Sequence, residues 1–171
     1  NISSWLYSVI LIDNNVGFAV GADKAILKTI DDGETWTSSN NGIAEGNYIT
    51  FRTVYFTDSQ TGYAAGYSTF SSDGFVFKTI DDGANWTKLT DTLDRINSIY
   101  FLNSDTGYCV GSNGKIYQTT DGGTSWTEKA SQTTNSLVSI QFVDQTTGFI
   151  LSTGSVIKTL DGGETWTEVN N

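Results

Sequence analysis

Hydrophobic residues lie along the chain in short runs, separated by turns rich in Asn, Asp, Gly and Ser. The runs are dominated by β-branched and aromatic residues, a composition typical of β-strands. No stretch of useful length has apolar residues at helical spacing, and the sequence contains no proline that would interrupt a strand. This pattern predicts an all-β protein.

The pattern of runs and turns occurs four times. A tryptophan ends each copy of a ten-residue stretch, whose four versions are KTIDDGETWT, KTIDDGANWT, QTTDGGTSWT and KTLDGGETWT. The tryptophans are separated by 50, 40 and 40 residues. Two other runs, of the types RTVYFTD and TGYAAG, precede the stretch, and the stretch itself joins a third run to a fourth. Each copy therefore contains four predicted strands. Four strands in about 40 residues, repeated, are typical of propeller blades.

The third run of each copy has apolar residues at two successive positions, as in AILKT and FVFKT. A sheet with one face in water would alternate instead, so these sheets are expected to be covered on both faces. The sequence therefore predicts a β-propeller of four four-stranded antiparallel blades, either a closed four-blade ring or an arc of a larger propeller. We expect one domain over residues 1–171. The predicted blades cover approximately 5–38, 50–89, 95–129 and 136–169.

The recurring stretch is predicted to be a stabilised hairpin between the third and fourth strands. Asp and Thr side chains bond to nearby backbone and hold turns, glycine reaches the positive φ of a tight hairpin, and a large aromatic anchors the turn. Each residue type thus has a structural role that needs no substrate. The predicted structural residues are Thr29, Asp31, Gly33, Trp36, Thr79, Asp81, Gly83, Trp86, Thr119, Asp121, Gly123, Trp126, Thr159, Asp161, Gly163 and Trp166.

This stretch resembles the Asp-box of the BNR repeat family, Ser/Thr-x-Asp-x-Gly-x-Thr-Trp. The first and fourth copies match it fully, whereas the second has Asn85 and the third has Ser125 where Thr is usual. The resemblance covers essentially the whole chain and implies a propeller with its boxes on the outer side, away from any catalytic centre. It does not specify a function, because the box occurs in sialidases, glycoside hydrolases, sorting receptors and photosystem assembly factors.

Charge and composition exclude several kinds of site. The net charge of −10 argues against nucleic-acid binding, because phosphate is bound by Lys and Arg. No segment approaches the roughly 18 apolar residues that span a bilayer, so direct membrane insertion is not expected. The chain has no His, which excludes His-based triads and His-ligated metals. Two arginines, Arg52 and Arg95, are too few for the three-arginine site that the resemblance implies for a sialidase.

Adjacent carboxylates occur in the first two boxes, at Asp31–Asp32 and Asp81–Asp82. Neighbouring residues on a turn rarely converge on one atom, and the spacing does not match a calcium loop. Glycine takes the second position in the other two copies, so Asp32 and Asp82 are expected to be exposed turn residues. We predict no metal site, no cofactor and no catalytic residues. Cys109 is expected to be a small buried hydrophobe.

The candidate ligand-binding residues lie around two insertions of about five residues in the second copy. One insertion precedes the first strand of that copy, and the other joins its second and third strands. In an up-and-down sheet these loops emerge at the same end, opposite the boxes, and loops on a rigid scaffold commonly bind ligands. An alternative is that the loop aromatics fold back onto the blade. The candidates are Tyr48, Arg52, Tyr67, Phe70 and Arg95.

The predicted function is a non-catalytic binding or scaffolding module, with a protein or carbohydrate ligand, in a secreted or cell-surface protein. One alternative is a segment of a glycoside hydrolase propeller, and another is an assembly factor similar to those of photosystems. Because the chain contains no Met, we expect a processed chain or an excised piece. A closed ring, continuation into a larger propeller and self-association of arcs are the three possible architectures.

Overall fold

The computed structural model describes residues 4–39, 42–43 and 48–169. The described backbone forms sixteen β-strands and one short 3-10 turn, Ser112–Gly114. The strands belong to two compact units, residues 1–95 and 96–171, and each unit contains two sheets. Within every sheet the strands are antiparallel and neighbour each other in chain order.

Each of the four sheets has four strands. Sheet 1 comprises β1 (Leu6–Leu11), β2 (Gly17–Gly21), β3 (Ile26–Thr29) and β4 (Thr37–Ser38). Sheet 2 comprises β5 (Ile49–Phe56), β6 (Gly62–Ser68), β7 (Gly74–Thr79) and β8 (Thr87–Leu93). Sheet 3 comprises β9 (Ile96–Phe101), β10 (Gly107–Gly111), β11 (Ile116–Thr119) and β12 (Thr127–Lys129). Sheet 4 comprises β13 (Leu137–Phe142), β14 (Gly148–Ser152), β15 (Ser155–Thr159) and β16 (Thr167–Val169).

These four sheets confirm the predicted all-β architecture of four four-stranded antiparallel blades. The assignment of the whole chain to a single propeller domain stays a prediction. Glycine opens the second strand of every sheet because an aromatic or aliphatic side chain of the first strand covers it. Gly107, for example, pairs with Phe101, and a Cβ at Gly107 would lie 2.6 Å from the Phe101 ring.

An aromatic cluster joins the two sheets of unit 1. Phe18 of sheet 1 stacks on Phe56 of sheet 2, with ring centroids 4.5 Å apart. Trp86, from the second box, meets both rings edge-on at 6.4 and 6.2 Å. Because all three side chains are almost fully buried, this tryptophan anchors one sheet against the next as well as its own turn.

The same arrangement joins the two sheets of unit 2. Tyr108 of sheet 3 stacks on Phe142 of sheet 4 at 5.2 Å, and Trp166 meets the two rings edge-on at 6.3 and 5.8 Å. The Tyr108 hydroxyl donates to the carbonyl of Gly162 in the fourth box and accepts from Gln118 Nε2 at 2.6 Å. A tyrosine therefore replaces phenylalanine in this unit without leaving its hydroxyl unpaired.

Each box is closed by hydrogen bonds to its aspartate. In the first box Thr29 Oγ1 donates to Asp31 Oδ1 at 2.8 Å, and the amide and hydroxyl of Thr35 donate to the two carboxylate oxygens at 2.9 and 2.6 Å. The Gly33 amide donates to Thr29 Oγ1 at 3.0 Å, and Trp36 Nε1 donates to the Gly33 carbonyl at 3.1 Å. The stretch is therefore a hydrogen-bonded hairpin between the third and fourth strands.

The two departures from the usual box sequence keep these bonds. Asn85 Nδ2 donates to Asp81 Oδ2 at 2.9 Å, and Ser125 Oγ donates to Asp121 Oδ2 at 2.6 Å. The second box differs in another way, because its Gly83 carbonyl accepts from Ser39 Oγ of the preceding sheet at 2.5 Å. Among the described residues, the buried Trp86 Nε1 has no hydrogen-bond partner.

The expectation that Asp82 is an exposed turn residue is wrong. Lys28 of sheet 1 donates to the Asp82 carboxylate at 2.5 Å and to its carbonyl at 2.9 Å, and Asp82 is half-buried. Asp32, at the same position of the first box, is exposed as expected. The difference arises because sheet 1 of the same unit supplies a lysine that reaches the second box.

Candidate functional site

The second insertion and Tyr48, which follows the first insertion, meet at one end of sheet 2, whereas residues 40–41 and 44–47 of the first insertion lie outside the described residues. Strand β6 pairs with β5 so that Tyr67 lies opposite Thr50, and the Thr69 amide donates to the Tyr48 carbonyl at 2.7 Å. The box turn lies at the other end, where the Asp82 amide donates to the Gln60 carbonyl of the β5–β6 turn at 3.0 Å. We call the end formed by residues 48–52 and 67–73 the loop end of sheet 2.

Tyr48 and Phe70 form a stacked pair at the loop end. Their ring centroids are 6.3 Å apart and their planes differ by 22°. The two side chains are 67% and 86% exposed, so neither ring folds back onto the sheet as the alternative interpretation required. A pair of exposed, roughly parallel rings offers a flat apolar surface to a ligand.

The loop that carries Phe70 is fixed by its own hydrogen bonds. Ser68 Oγ accepts from the Phe70 amide at 3.2 Å and from the Ser71 amide at 3.4 Å. The Ser68 amide donates to the Asp73 carbonyl at 2.8 Å, and the Ser72 amide donates to the Ser68 carbonyl at 2.9 Å. Ser72 has a φ of 66°, which turns the chain back into β7. Phe70 is therefore presented by a structured turn.

The two arginines stack on tyrosine rings. The guanidinium carbon of Arg95, just before β9, lies 3.4 Å from the centroid of the Tyr67 ring. The guanidinium carbon of Arg52 lies 4.4 Å from the centroid of the Tyr7 ring in sheet 1. A guanidinium that stacks by its face keeps its N–H donors along its edge. Among the described residues, no carboxylate forms an ion pair with either arginine.

The five predicted residues therefore form three ring contacts, namely Tyr48 with Phe70, Tyr67 with Arg95, and Arg52 with Tyr7. Tyr7 was not among the residues predicted from the sequence. The signal for it was present, because alignment of YSVILID with RTVYFTD puts Tyr7 and Arg52 at the same position of their sheets. Both residues lie at an irregularity of the first-to-second strand pairing, between Leu6 and Ser8 and between Phe51 and Thr53.

The loop end and the adjoining Arg95 supply aromatic rings and two guanidinium groups in a chain of net charge −10, and the loop end also carries one carboxylate, Asp73. Flat rings with guanidinium edges suit an extended polypeptide or a sugar, because both combine apolar surface with carbonyl, carboxylate or hydroxyl oxygens. In residues 4–39, 42–43 and 48–169 no cluster of three or more His, Cys, Asp or Glu side chains is arranged to hold a metal ion. The same residues contain no helix that is long and apolar enough to cross a membrane.

The box carboxylates at the opposite end are held in their ionised form. Hydrogen bonds from Thr35, with the side-chain hydroxyl contributing most, lower the pKa of Asp31. Corresponding bonds from Ser125 and Thr165 lower the pKa of Asp121 and Asp161 to about 2. Because these groups are ionised at neutral pH and accept three or more hydrogen bonds, they are poor proton donors and serve the turn.

The family relationship is shown by comparison with known families. Residues 1–94 and 90–171 each match the family PSII_BNR, described as photosynthesis system II assembly factor YCF48. The chain belongs to the PSII_BNR family. This confirms the predicted BNR-type relationship, and the two matches to PSII_BNR cover the whole length of the chain. No curated protein matches the chain.

Solved structures similar to this PSII_BNR chain include YCF48 and GH74 enzymes. A structure of YCF48 bound to D1 peptide is 19% identical with a TM-score of 0.76, and the match covers 99% of this chain and 54% of that one. YCF48 from Cyanidioschyzon merolae is 20% identical with a TM-score of 0.73, covering 96% and 56% of the two chains. An ancestral GH74 enzyme is 19% identical with a TM-score of 0.76, covering 98% and 24%.

These similarities confirm the β-propeller fold predicted from the sequence. The chain spans about half the length of the two YCF48 structures and about a quarter of the GH74 enzyme. At this level of identity the likeness concerns the fold. The role of the loop end therefore depends on the geometry of its own residues.

Proposed function

We propose that this chain is a non-catalytic binding module that holds an extended segment of a partner protein at the loop end of sheet 2. The observation that carries the proposal is the stacked, exposed pair Tyr48–Phe70, presented by a hydrogen-bonded turn. Exposed aromatic pairs of this kind are unfavourable in water and are typical of recognition surfaces.

The arginines support a polypeptide ligand. Arg95 and Arg52 are oriented by their stacking on Tyr67 and Tyr7, and a guanidinium edge can donate paired hydrogen bonds to a carboxylate or to backbone carbonyls. The similar YCF48 structure is described as bound to a D1 peptide, which supports a protein ligand for a propeller of this family. The partner is expected to carry an apolar side chain for the rings and an acidic or carbonyl group for Arg95.

The absence of catalysis is part of the proposal. Every described carboxyl group whose pKa departs clearly from its ordinary value is shifted downward, which suits hydrogen-bond acceptors and not general acids. A retaining or inverting glycosidase needs one carboxylic acid with a raised pKa. We also propose a secreted or cell-surface location, because the chain is acidic and rich in Asn, Ser, Thr and Gly.

Selection from a displayed library of random peptides tests this function. We expect enriched peptides to bind the chain, and the double variant Tyr48→Ala/Phe70→Ala to lose at least about tenfold in affinity. Arg95→Ala should also weaken binding, whereas Ile80→Ala, which removes a similarly exposed apolar side chain within the second box, should leave affinity unchanged. Circular dichroism of each variant checks that the sheets are intact.

The GH74 similarity favours one second candidate, a segment of a glycoside hydrolase that binds sugar at the loop end. A glycan array followed by a reducing-sugar assay distinguishes the two. Glycan binding with release of reducing ends would establish the hydrolase and contradict the non-catalytic proposal. Peptide enrichment that is insensitive to the Tyr48 and Phe70 substitutions would reject the loop end as the site.

A further inference from the structure

The two sheets of each unit meet through two different faces. In unit 1, sheet 1 contributes Phe18 and Val20 of β2, and sheet 2 contributes Val54, Phe56 and Trp86. We call the face of the earlier sheet in the chain, here sheet 1, the outgoing face. The face of the next sheet that packs against it, here sheet 2, is the incoming face. In unit 2 the outgoing face of sheet 3 and the incoming face of sheet 4 repeat the arrangement, with Tyr108 stacked on Phe142 beside Trp166.

Sheet 1 has an incoming face of its own, and this face is uncovered. Leu11 of β1 occupies the position of Phe56, since both pair with the glycine that opens the next strand. Leu11 is 70% exposed, whereas Phe56 is 9% exposed. Val9 and Leu6 are also exposed, and with Leu27 and Trp36 they line an apolar groove of about 530 Å³.

Sheet 4 has an uncovered outgoing face. Phe149 and Leu151 of β14 occupy the positions that Phe18 and Val20 hold in β2, because each pair follows the glycine that opens its strand with the same spacing. Leu151 is 50% exposed whereas Val20 is fully buried, and Phe149 is exposed where Phe18 is not. Sheet 4 thus presents in water the residues that sheet 1 buries against its neighbour in unit 1.

Charged residues complement each other across the same pair of faces. In unit 1, Lys28 lies over the Phe18 ring at 5.5 Å and pairs with Asp82 of the incoming sheet at 2.5 Å. Lys158 lies over the Phe149 ring at the same 5.5 Å, at the position equivalent to Lys28. Asp32 of the first box is equivalent to Asp82, and it is exposed. The outgoing face therefore carries the cation and the incoming face the matching anion.

We propose that a second copy of this chain covers these faces, with the outgoing face of sheet 4 in one copy packed on the incoming face of sheet 1 in the next. Both halves of the junction are present in every copy, in the register that unit 1 uses, and with complementary charge at Lys158 and Asp32. Uncovered apolar faces of this kind favour association. The contact is head-to-tail, so two copies either close on each other or continue into longer assemblies.

Light-scattering mass measured over a range of protein concentration tests the association. The native chain should reach at least twice the 18.6 kDa of one chain as concentration rises. Leu11→Asp and Phe149→Asp should each keep the chain at the mass of one copy, because a charge replaces the apolar contact. Ile80→Asp is the matched control, since Ile80 is 71% exposed but lies outside both faces, and this variant should associate as the native chain does.

Mixing the two interface variants tests the head-to-tail geometry. Leu11→Asp keeps an intact outgoing face and Phe149→Asp keeps an intact incoming face, so the mixture should contain paired chains that neither variant forms alone. The charge reversals Lys158→Asp and Asp32→Lys should each weaken association, and the double reversal should restore it. A native chain that stays at the mass of one copy at every concentration would overturn the proposal. Failure of the mixed variants to form pairs would also overturn it, as would a double charge reversal that does not restore association.

Discussion

At the scale of single residues, the box aspartate is the group on which each hairpin depends. Its two carboxylate oxygens accept from the threonine two residues before it and from the residue four positions after it. Thr, Asn and Ser all serve at the second of these positions, because each combines a backbone amide with a side-chain donor of suitable length. The tolerance of the box for these swaps therefore follows from hydrogen-bond geometry.

The lowered pKa of the box aspartates predicts a loss of stability in acid. Asp161 has a pKa of about 2 in the folded chain against 3.8 ordinarily, so its contribution is fully present above about pH 4 and is lost as the pH falls towards 2. Asp161→Asn should lower the thermal midpoint at pH 5, and the difference from the native chain should shrink towards pH 2. Thermal unfolding followed by circular dichroism across this range measures it, and a difference independent of pH would contradict the assignment.

The sequence was sufficient to predict the box residues, because the hydrogen bonds that close each box join residues no more than four positions apart. It was not sufficient for Asp82, whose partner Lys28 is 54 residues away along the chain. The same limit applies to Tyr7, which meets Arg52 only because the first strands of sheets 1 and 2 are neighbours. Pairings between distant residues depend on how sheets stack, and a repeat alignment shows them only after the stacking is known.

At the scale of elements, the strands of a sheet were predictable from their composition and the turns between them. The lengths of the fourth strands were not, since β4 has only Thr37–Ser38 whereas β8 extends through Leu93, opposite Gly74. The extension exists because the longer β6–β7 hairpin of sheet 2 offers β8 additional backbone to pair with. The same insertion carries the predicted aromatic site, so one length change in the sequence alters both the sheet and its surface.

The tryptophans of the first two boxes are expected to differ in energetic importance. Trp86→Ala removes a buried side chain packed on Phe18 and Phe56, and should lower the free energy of unfolding by about 3–5 kcal/mol. Trp36→Ala removes a half-buried side chain and should cost less than about 2 kcal/mol. Urea unfolding at low protein concentration compares them. Equal losses would show that the box tryptophan acts on its own turn alone.

At the scale of the whole molecule, the family and the fold follow from the repeat, whereas the function depends on features that the repeat does not share. The boxes occur four times and serve the hairpins, and the loop end occurs once, in the copy with two insertions. The unusual length of the second copy was therefore a better indication of a candidate site than the recurring box. The ligand could not be predicted from the sequence, because three ring contacts define a surface but do not identify what binds to it.

The net charge of −10 predicts how the proposed association responds to salt. Copies of like charge repel at low ionic strength, and salt screens this repulsion over distances beyond about 10 Å. The proposed ion pair of Lys158 with Asp32 would lie at the surface, where such pairs contribute about 1 kcal/mol at most, so screening of this pair should not dominate the salt response. Sedimentation equilibrium should show tighter association at moderate salt than at very low salt, and the reverse order would mean that the ion pair governs the contact.

The interior of sheet 3 holds the single thiol of the chain. Cys109 lies in β10 with no exposed surface, and burial raises the pKa of its thiol well above the ordinary value. Thiol-reactive reagents need both access and the thiolate form, so they can modify this residue only when sheet 3 opens. The rate of labelling of the unaltered chain would then report how often that sheet comes apart, without any introduced probe.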